Sequence, residues 1–356
     1  MKRHLGNLVR VGVSVGILLY LFTGIFRKEA VAQVSELDRL PWAERLVKIW
    51  TIGPQALADV FHQVEPVWFL LAIACMGMVT ICGTIRWYWM LRVQGLELPL
   101  KRVFSINLIG MFFNTFMLGA TGGDVMKAWY VAHETHHKKA EAVATVIVDR
   151  VIGLLVLFVI ALAMMLAFWS RVYDDAPLRT FTLFTLAFVL GTVVLTALSF
   201  WKGFADCLPG LRQQLQRLPK YEMLRRMIEA CRSYASHPMV LAKTTAITVA
   251  VHGFSMLAIV CVGKGLGITS ARLVDYFLYL PIINSIAAIP ISISGLGVRE
   301  GMYVTMFSRV GVSEPGALAM SLLGYFANLV WNLLGVVFYI THRKELPPVE
   351  EMQTTK

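Results

Sequence analysis

Four short stretches hold residues that could do chemistry. His133-Glu134-Thr135-His136-His137 spells H-E-x-x-H. On a helix this spacing puts two imidazoles on one face, one turn apart, where they could hold zinc while the glutamate activates a water. Gly122-Gly123-Asp124 with Lys127, and Gly295-x-Gly297-x-Arg299-Glu300, each join a glycine break to charged residues. A helix starting at such a break offers N–H groups and a partial positive charge to an anion. Asp149-Arg150 places two opposite charges at the start of an apolar run. A charge at bilayer depth costs about 2.5–3.5 kcal/mol on insertion scales. Asp124, Lys127, Asp149, Arg150, Arg299 and Glu300 therefore each require a partner or a polar cavity. Ion pairing between helices is the bland account of Asp149–Arg150 and Arg299–Glu300, and ligand binding the sharper one.

The elements that position these residues are membrane helices. Hydrophobic residues make up 57% of the 356 and charged residues 15%, against roughly 25% charged in soluble domains. Several nearly uncharged runs approach the ~20 residues needed to cross a bilayer. The fold class expected is an all-α polytopic integral membrane protein. Six full spans are expected at about 8–26, 66–88, 143–169, 180–201, 240–262 and 316–341. Segment 27–65 reads as an outer interfacial helix, with Trp42, Leu46 and Trp50 on its apolar face. Segment 202–239 reads as a basic cytoplasmic amphipathic helix and 342–356 as a cytoplasmic tail. Arg86, Arg92, Lys101 and Arg102 mark the loop after the second span as cytoplasmic. Both termini then lie inside, in a cytoplasmic membrane. A net charge of +11 fits anionic lipid head groups, and no soluble basic module argues for nucleic acid. The five cysteines form no C-x-x-C pair, so neither a disulfide framework nor a cysteine metal site is expected.

Two apolar stretches, 103–131 and 273–309, do not read as simple spans, because glycine and proline break them midway. Basic residues flank the first on both sides, which implies a half-helix in, a break at membrane depth and a half-helix out. Irregular backbone there requires cover by protein or a water-filled cavity. Asn114 precedes "GGDVMKAWYV" and Asn284 precedes "GLGVREGMYV". Parity sends one pair in from each side. Opposed re-entrant pairs with internal similarity are the pattern of an inverted repeat, with a substrate site near the midplane.

These motifs, in this order, resemble the transmembrane region of lysylphosphatidylglycerol synthases, a flippase-like family. The resemblance rests on "FFNTFMLGATGGDVMKAWYV", "AVATVIVDRVIGLLVL" and "IPISISGLGVREGMYVTMF" and covers roughly 8–341. Lys127 stands where arginine is usual, and the proline often preceding the first glycines is absent. No residues remain for an aminoacyltransferase domain, so the resemblance implies the translocating half. It implies phospholipids, hopanoids or polyprenyl-linked sugars as substrates.

The reading that follows is a lipid translocator without cofactor and without enzymatic activity. Asn114, Gly122, Gly123, Asp124, Lys127, Asp149, Arg150, Asn284, Gly295, Gly297, Arg299 and Glu300 would line its head-group path. Absence of a Walker motif leaves passive or gradient-driven movement. Two alternatives come from other classes. One is a membrane enzyme, either a lipid-linked transferase or a zinc protease using His133, Glu134 and His137. The protease reading is weakened by the following Lys138 and Lys139, which suggest a solvated turn, and by the want of a third ligand. The other is a scaffold that recruits a cytoplasmic lipid synthase through 202–239.

Overall fold

In a computed structural model the chain is described over residues 19–343, apart from 21, 28, 32, 35–36, 38–39, 117–121, 136–137, 201–220, 290–294 and 296. Every long element among these residues is a helix: α1 Trp42–His62, α2 Pro66–Val93, α3 Leu100–Phe116, α4 Gly122–Glu134, α5 Lys139–Ala167, α6 Ala176–Phe200, α7 Tyr221–Ser233, α8 Pro238–Gly265, α9 Leu273–Ala287, α10 Val298–Phe307 and α11 Glu314–Arg343. Five of them, α2, α5, α6, α8 and α11, are long and apolar enough to cross a bilayer. They match five of the six expected spans. Of the sixth, at 8–26, residues 8–18 and 21 lie outside the described residues while 19–20 and 22–26 are helical, and 342–356 lies outside them beyond Arg343.

The helix bounds follow local chemistry. Pro66 and Pro238 open α2 and α8, where a missing N–H costs nothing. Asp275 opens α9 by accepting the Arg272 N–H at 2.8 Å. Threonines inside the spans return their hydroxyls to carbonyls four residues back, Thr84 to Thr80 at 2.8 Å and Thr248 to Thr244 at 2.6 Å. One boundary differs from expectation. The second span runs to Val93 rather than ending near 88, so Arg86 is a helix residue and not a loop marker.

Cross-helix bonds sort the helix ends into two groups. At end A, Gln94 Nε2 donates to the Ala230 carbonyl at 2.8 Å, and Tyr234 Oη donates to the Met90 carbonyl at 3.0 Å. Lys138 Nζ reaches the Gly95 carbonyl there at 3.0 Å. At end B, the Glu65 N–H donates to Gly265 at 2.9 Å, and Arg171 meets Asp275 at 2.6 Å. The five long helices thus run alternately between A and B.

The two broken segments form hairpins of half-helices. Arg102 at the start of α3 pairs with Glu134 at the close of α4 at 2.6 Å, so hairpin α3–α4 has both ends at A. Its halves have 17 and 13 residues, or about 25 and 20 Å. Hairpin α9–α10 has both ends at B, where Asp275 pairs with Arg171 and Arg309 with Asp175. Each hairpin has its own apolar core. Trp87, Leu91, Ile106, Ile109, Tyr130 and Val131 pack around the first. Tyr276, Leu280, Ile283, Tyr303 and Phe307 pack around the second. Lipid tails are as apolar as these side chains, so close packing and polar ties, rather than escape from water, hold such helices together.

Segment 27–65 contains α1, which exposes Trp42, Leu46, Val47 and Trp50 and leads into α2 at end B. Of segment 202–239, residues 202–220 lie outside the described ones. The rest holds α7, with Arg225 and Arg226 exposed, and the start of α8 at end A.

Candidate functional site

The first charged cluster surrounds the start of α4. Asn114 Oδ1 accepts the Gly123 N–H at 2.9 Å, so part of the half-helix start is capped from within and is not free for an anion as expected. The hairpin closes tightly here. A Cβ on Gly123 would overlap the Gly110 carbonyl, and one on Gly110 would lie 2.6 Å from Lys127 Cγ. Only glycine at both positions allows this approach. The Lys127 stem therefore lies along α3 at Gly110, and its ammonium stands 5.3 Å from the Trp87 ring centre.

Asp149 and Arg150 do not pair with each other as one cation–carboxylate unit. Asp149 takes Arg86 of α2 at 2.7 Å, and Arg150 takes Asp124 of α4 at 2.6 Å. The bland expectation of inter-helix ion pairs is met, with partners the sequence did not name. Arg86 also donates from Nη1 to Thr248 Oγ1 on α8 at 3.1 Å. His252 on α8 lies 3.1 Å from the Gly153 carbonyl. Around Lys127 the charged neighbours are Asp149, Asp124, Arg150 and Arg86. Two carboxylates and three cations leave the group one positive charge in excess. The two carboxylates are each held by an arginine. The half-buried Lys127 ammonium makes no hydrogen bond or ion pair among the described residues.

The second cluster surrounds the start of α10. Gly295 and Gly297 have φ of 76° and 84°, a region that only glycine enters cheaply. This turn lets Glu300 fold back on its own helix start, where Oε2 accepts the Gly297 N–H at 2.6 Å. Glu300 is fully buried and Oε1 receives Arg299 Nη2 at 2.5 Å. Ser321 of α11 bonds both, 3.2 Å from Glu300 Oε1 and 3.2 Å from Arg299 Nε. Tyr325, one turn on, lies beneath the Arg299 guanidinium at 5.0 Å. The Arg299–Glu300 pair therefore sits within one helix and ties it to α11, not to a second charged helix. Arg299 Nη1 makes no bond among the described residues and remains a donor.

Tyr130 and Tyr303, aligned in the two stretches, are 1% and 3% exposed. Asn114 and Asn284 are not equivalent, since Asn284 is half-buried on α9 and only Asn114 caps a glycine. α11 walls both hairpins: Ser321 meets α10, and Asn332 Nδ2 donates to Thr115 Oγ1 of α3 at 2.7 Å. The buried Asn332 Oδ1 accepts no hydrogen bond among the described residues.

The H-E-x-x-H stretch is otherwise engaged where it is described. Glu134 is held by Arg102, and the His133 ring stacks on Trp129 with centres 5.5 Å apart. His136 and His137 lie outside the described residues. Arg86, Thr248, Ser321, Tyr325 and Asn332 were not anticipated as site residues. Arg86 carried the same signal as Asp149, a charge inside an apolar run. The four neutral residues carried none.

Comparison with known proteins fits this architecture. The profile of the lysylphosphatidylglycerol synthase TM region matches residues 7–335. A UPF0104 membrane protein of Methanothermobacter thermautotrophicus is 23% identical over 292 residues, covering 77% of this chain and 85% of its own. A UPF0104 membrane protein of Pyrococcus horikoshii is 24% identical over 323 residues, covering 85% and 95%.

Proposed function

We propose that this chain, which belongs to the family of the lysylphosphatidylglycerol synthase TM region, is a carrier that moves an anionic or polar lipid head group across a cytoplasmic membrane. The two hairpins are re-entrant and form an inverted repeat. Hairpin α3–α4 opens to the cytoplasm at end A, where Arg92, Lys101, Lys138, Lys139, Arg225 and Arg226 gather. Hairpin α9–α10 opens to the opposite side. The head group passes between them while its tails stay in the bilayer.

One observation carries this reading. Lys127 holds a cation in the hairpin interior that no hydrogen bond or ion pair satisfies among the described residues, within a cluster of net positive charge. Such a charge is expensive in a bilayer and calls for a ligand. Lysine meets a phosphate as a point charge, without arginine's fork. Arg299 Nη1 supplies a second donor nearer end B. Glu300 serves as a structural anchor, capping Gly297 and holding Arg299. Asp124 and Asp149 balance charge within the path. The chain works as a carrier and not as an enzyme.

The test is movement of fluorescent phosphatidylglycerol and phosphatidylethanolamine in reconstituted vesicles. Lys127→Met keeps the stem against Gly110 and removes the charge. Loss of movement in a variant that still folds supports the reading. Equal rates for wild type and Lys127→Met would overturn it.

A further inference from the structure

Near end A, α2, α3 and α11 part and leave a groove of about 430 Å3, within the usual size of a ligand site, about 300–1,000 Å3. Its walls are hydrocarbon: Ile81 and Ile85 from α2, Leu100 and Phe104 from α3, and Phe338 from α11. The two hydroxyl residues that also line it offer no free donor. Thr84 bonds the Thr80 carbonyl at 2.8 Å and Ser105 bonds the Lys101 carbonyl at 3.0 Å. An occupant of the depth is therefore apolar. Lys101 lines the groove with its stem and is an exposed residue without an ion-pair partner among the described residues. Its neighbour Arg102 is consumed by Glu134. The groove is thus an apolar slot bordered by one exposed lysine.

We infer that this groove seats one acyl chain of an anionic phospholipid, with the lipid phosphate on Lys101. The occupant is fixed by the joint chemistry. A second protein helix would not need the lysine, and a zwitterionic lipid gains less from it. The seat is distinct from the Lys127 cluster, and it would bind lipid whether or not the chain moves any. It would hold the open end of hairpin α3–α4 against α2 and α11, because three helices share the chain as a common filler.

The experiment uses the full-length protein in phosphatidylcholine nanodiscs doped with phosphatidylglycerol whose acyl chain carries a diazirine. Photolysis and peptide mapping should place adducts on α2 near Ile81–Ile85, on α3 near Phe104 and on α11 near Phe338. Phosphatidylcholine with the same diazirine chain should label these sites about five-fold less, the weight of one lysine at an anionic surface. Lys101→Glu should lose the labelling by at least as much, and Lys101→Arg should keep it. Ser105→Trp should block the groove with phosphatidylglycerol too. Equal labelling by both lipids, indifference to Lys101→Glu, or adducts elsewhere would overturn the proposal. Lys101 is on the surface, so the two Lys101 variants keep the fold and carry the test without Ser105→Trp. Loss of transport in Lys127→Met leaves the adducts intact, which separates the two tests.

Discussion

Arg86 on α2 reaches Asp149 on α5 at 2.7 Å and, with its other arm, Thr248 on α8 at 3.1 Å. One guanidinium therefore fixes three spans at one level, beside the half-helix α4 that carries Lys127. Its side chain is 12% exposed and that of Asp149 is 15%, so water screens the pair little.

Removing one partner leaves a charge without compensation. Asp149→Ala should destabilise the fold by about 3–5 kcal/mol, the usual cost of orphaning a buried charge. Arg86→Gln with Asp149→Asn should cost less than the worse single change. Thermal unfolding in detergent decides it. A double variant as unstable as the sum of the singles would show that the two residues act separately.

Arg299→Ala should melt lower for a reason unrelated to ligand, since the fully buried Glu300 carboxylate loses its cation. Arg299→Ala with Glu300→Gln should recover much of that loss. If Arg299 also binds head group, the double variant should fold and still fail in transport. Restored transport would reduce Arg299 to a packing residue.

Gly123→Ala should prevent closure of hairpin α3–α4, because the added methyl overlaps the Gly110 carbonyl of the facing backbone. Backbone cannot move aside as a flexible side chain can, so the cost should exceed the about 1–3 kcal/mol of ordinary overpacking. Gly253→Ala is the contrast. Nothing lies within 4 Å of the place its methyl would take on α8, and the change should be neutral or stabilising by up to about 1 kcal/mol. Yield of monodisperse protein compares the two.

The hairpins should open to opposite sides of the membrane. In a background without cysteine, a membrane-impermeant maleimide added to intact cells should label Arg272→Cys and Asp174→Cys at end B. Lys101→Cys and Lys139→Cys at end A should react only after the membrane is opened. Labelling of all four in intact cells would refute the opposed arrangement.

Composition and pattern alone were enough for an all-helical membrane protein, for five spans now seen as helices and for both breaks. These depend on local facts: long apolar runs must become helices in lipid, and glycine clusters interrupt them where they stand. The charges inside the runs were also legible as residues in need of partners. Which partners they took was not. Asp149 chose Arg86, 63 positions away, over its neighbour Arg150, because adjacent residues on a helix do not face each other. Arg299 and Glu300, also adjacent, meet only because Glu300 turns back to cap Gly297 and the long arginine side chain reaches after it. The capping of Gly123 by Asn114 and the excess positive charge around Lys127 exist only once α2, α3, α4 and α5 are side by side. The sequence determined which residues carry the problem of buried charge. The tertiary structure decided how each is resolved, since pairing depends on distance in space and the helices bring together what the chain keeps apart.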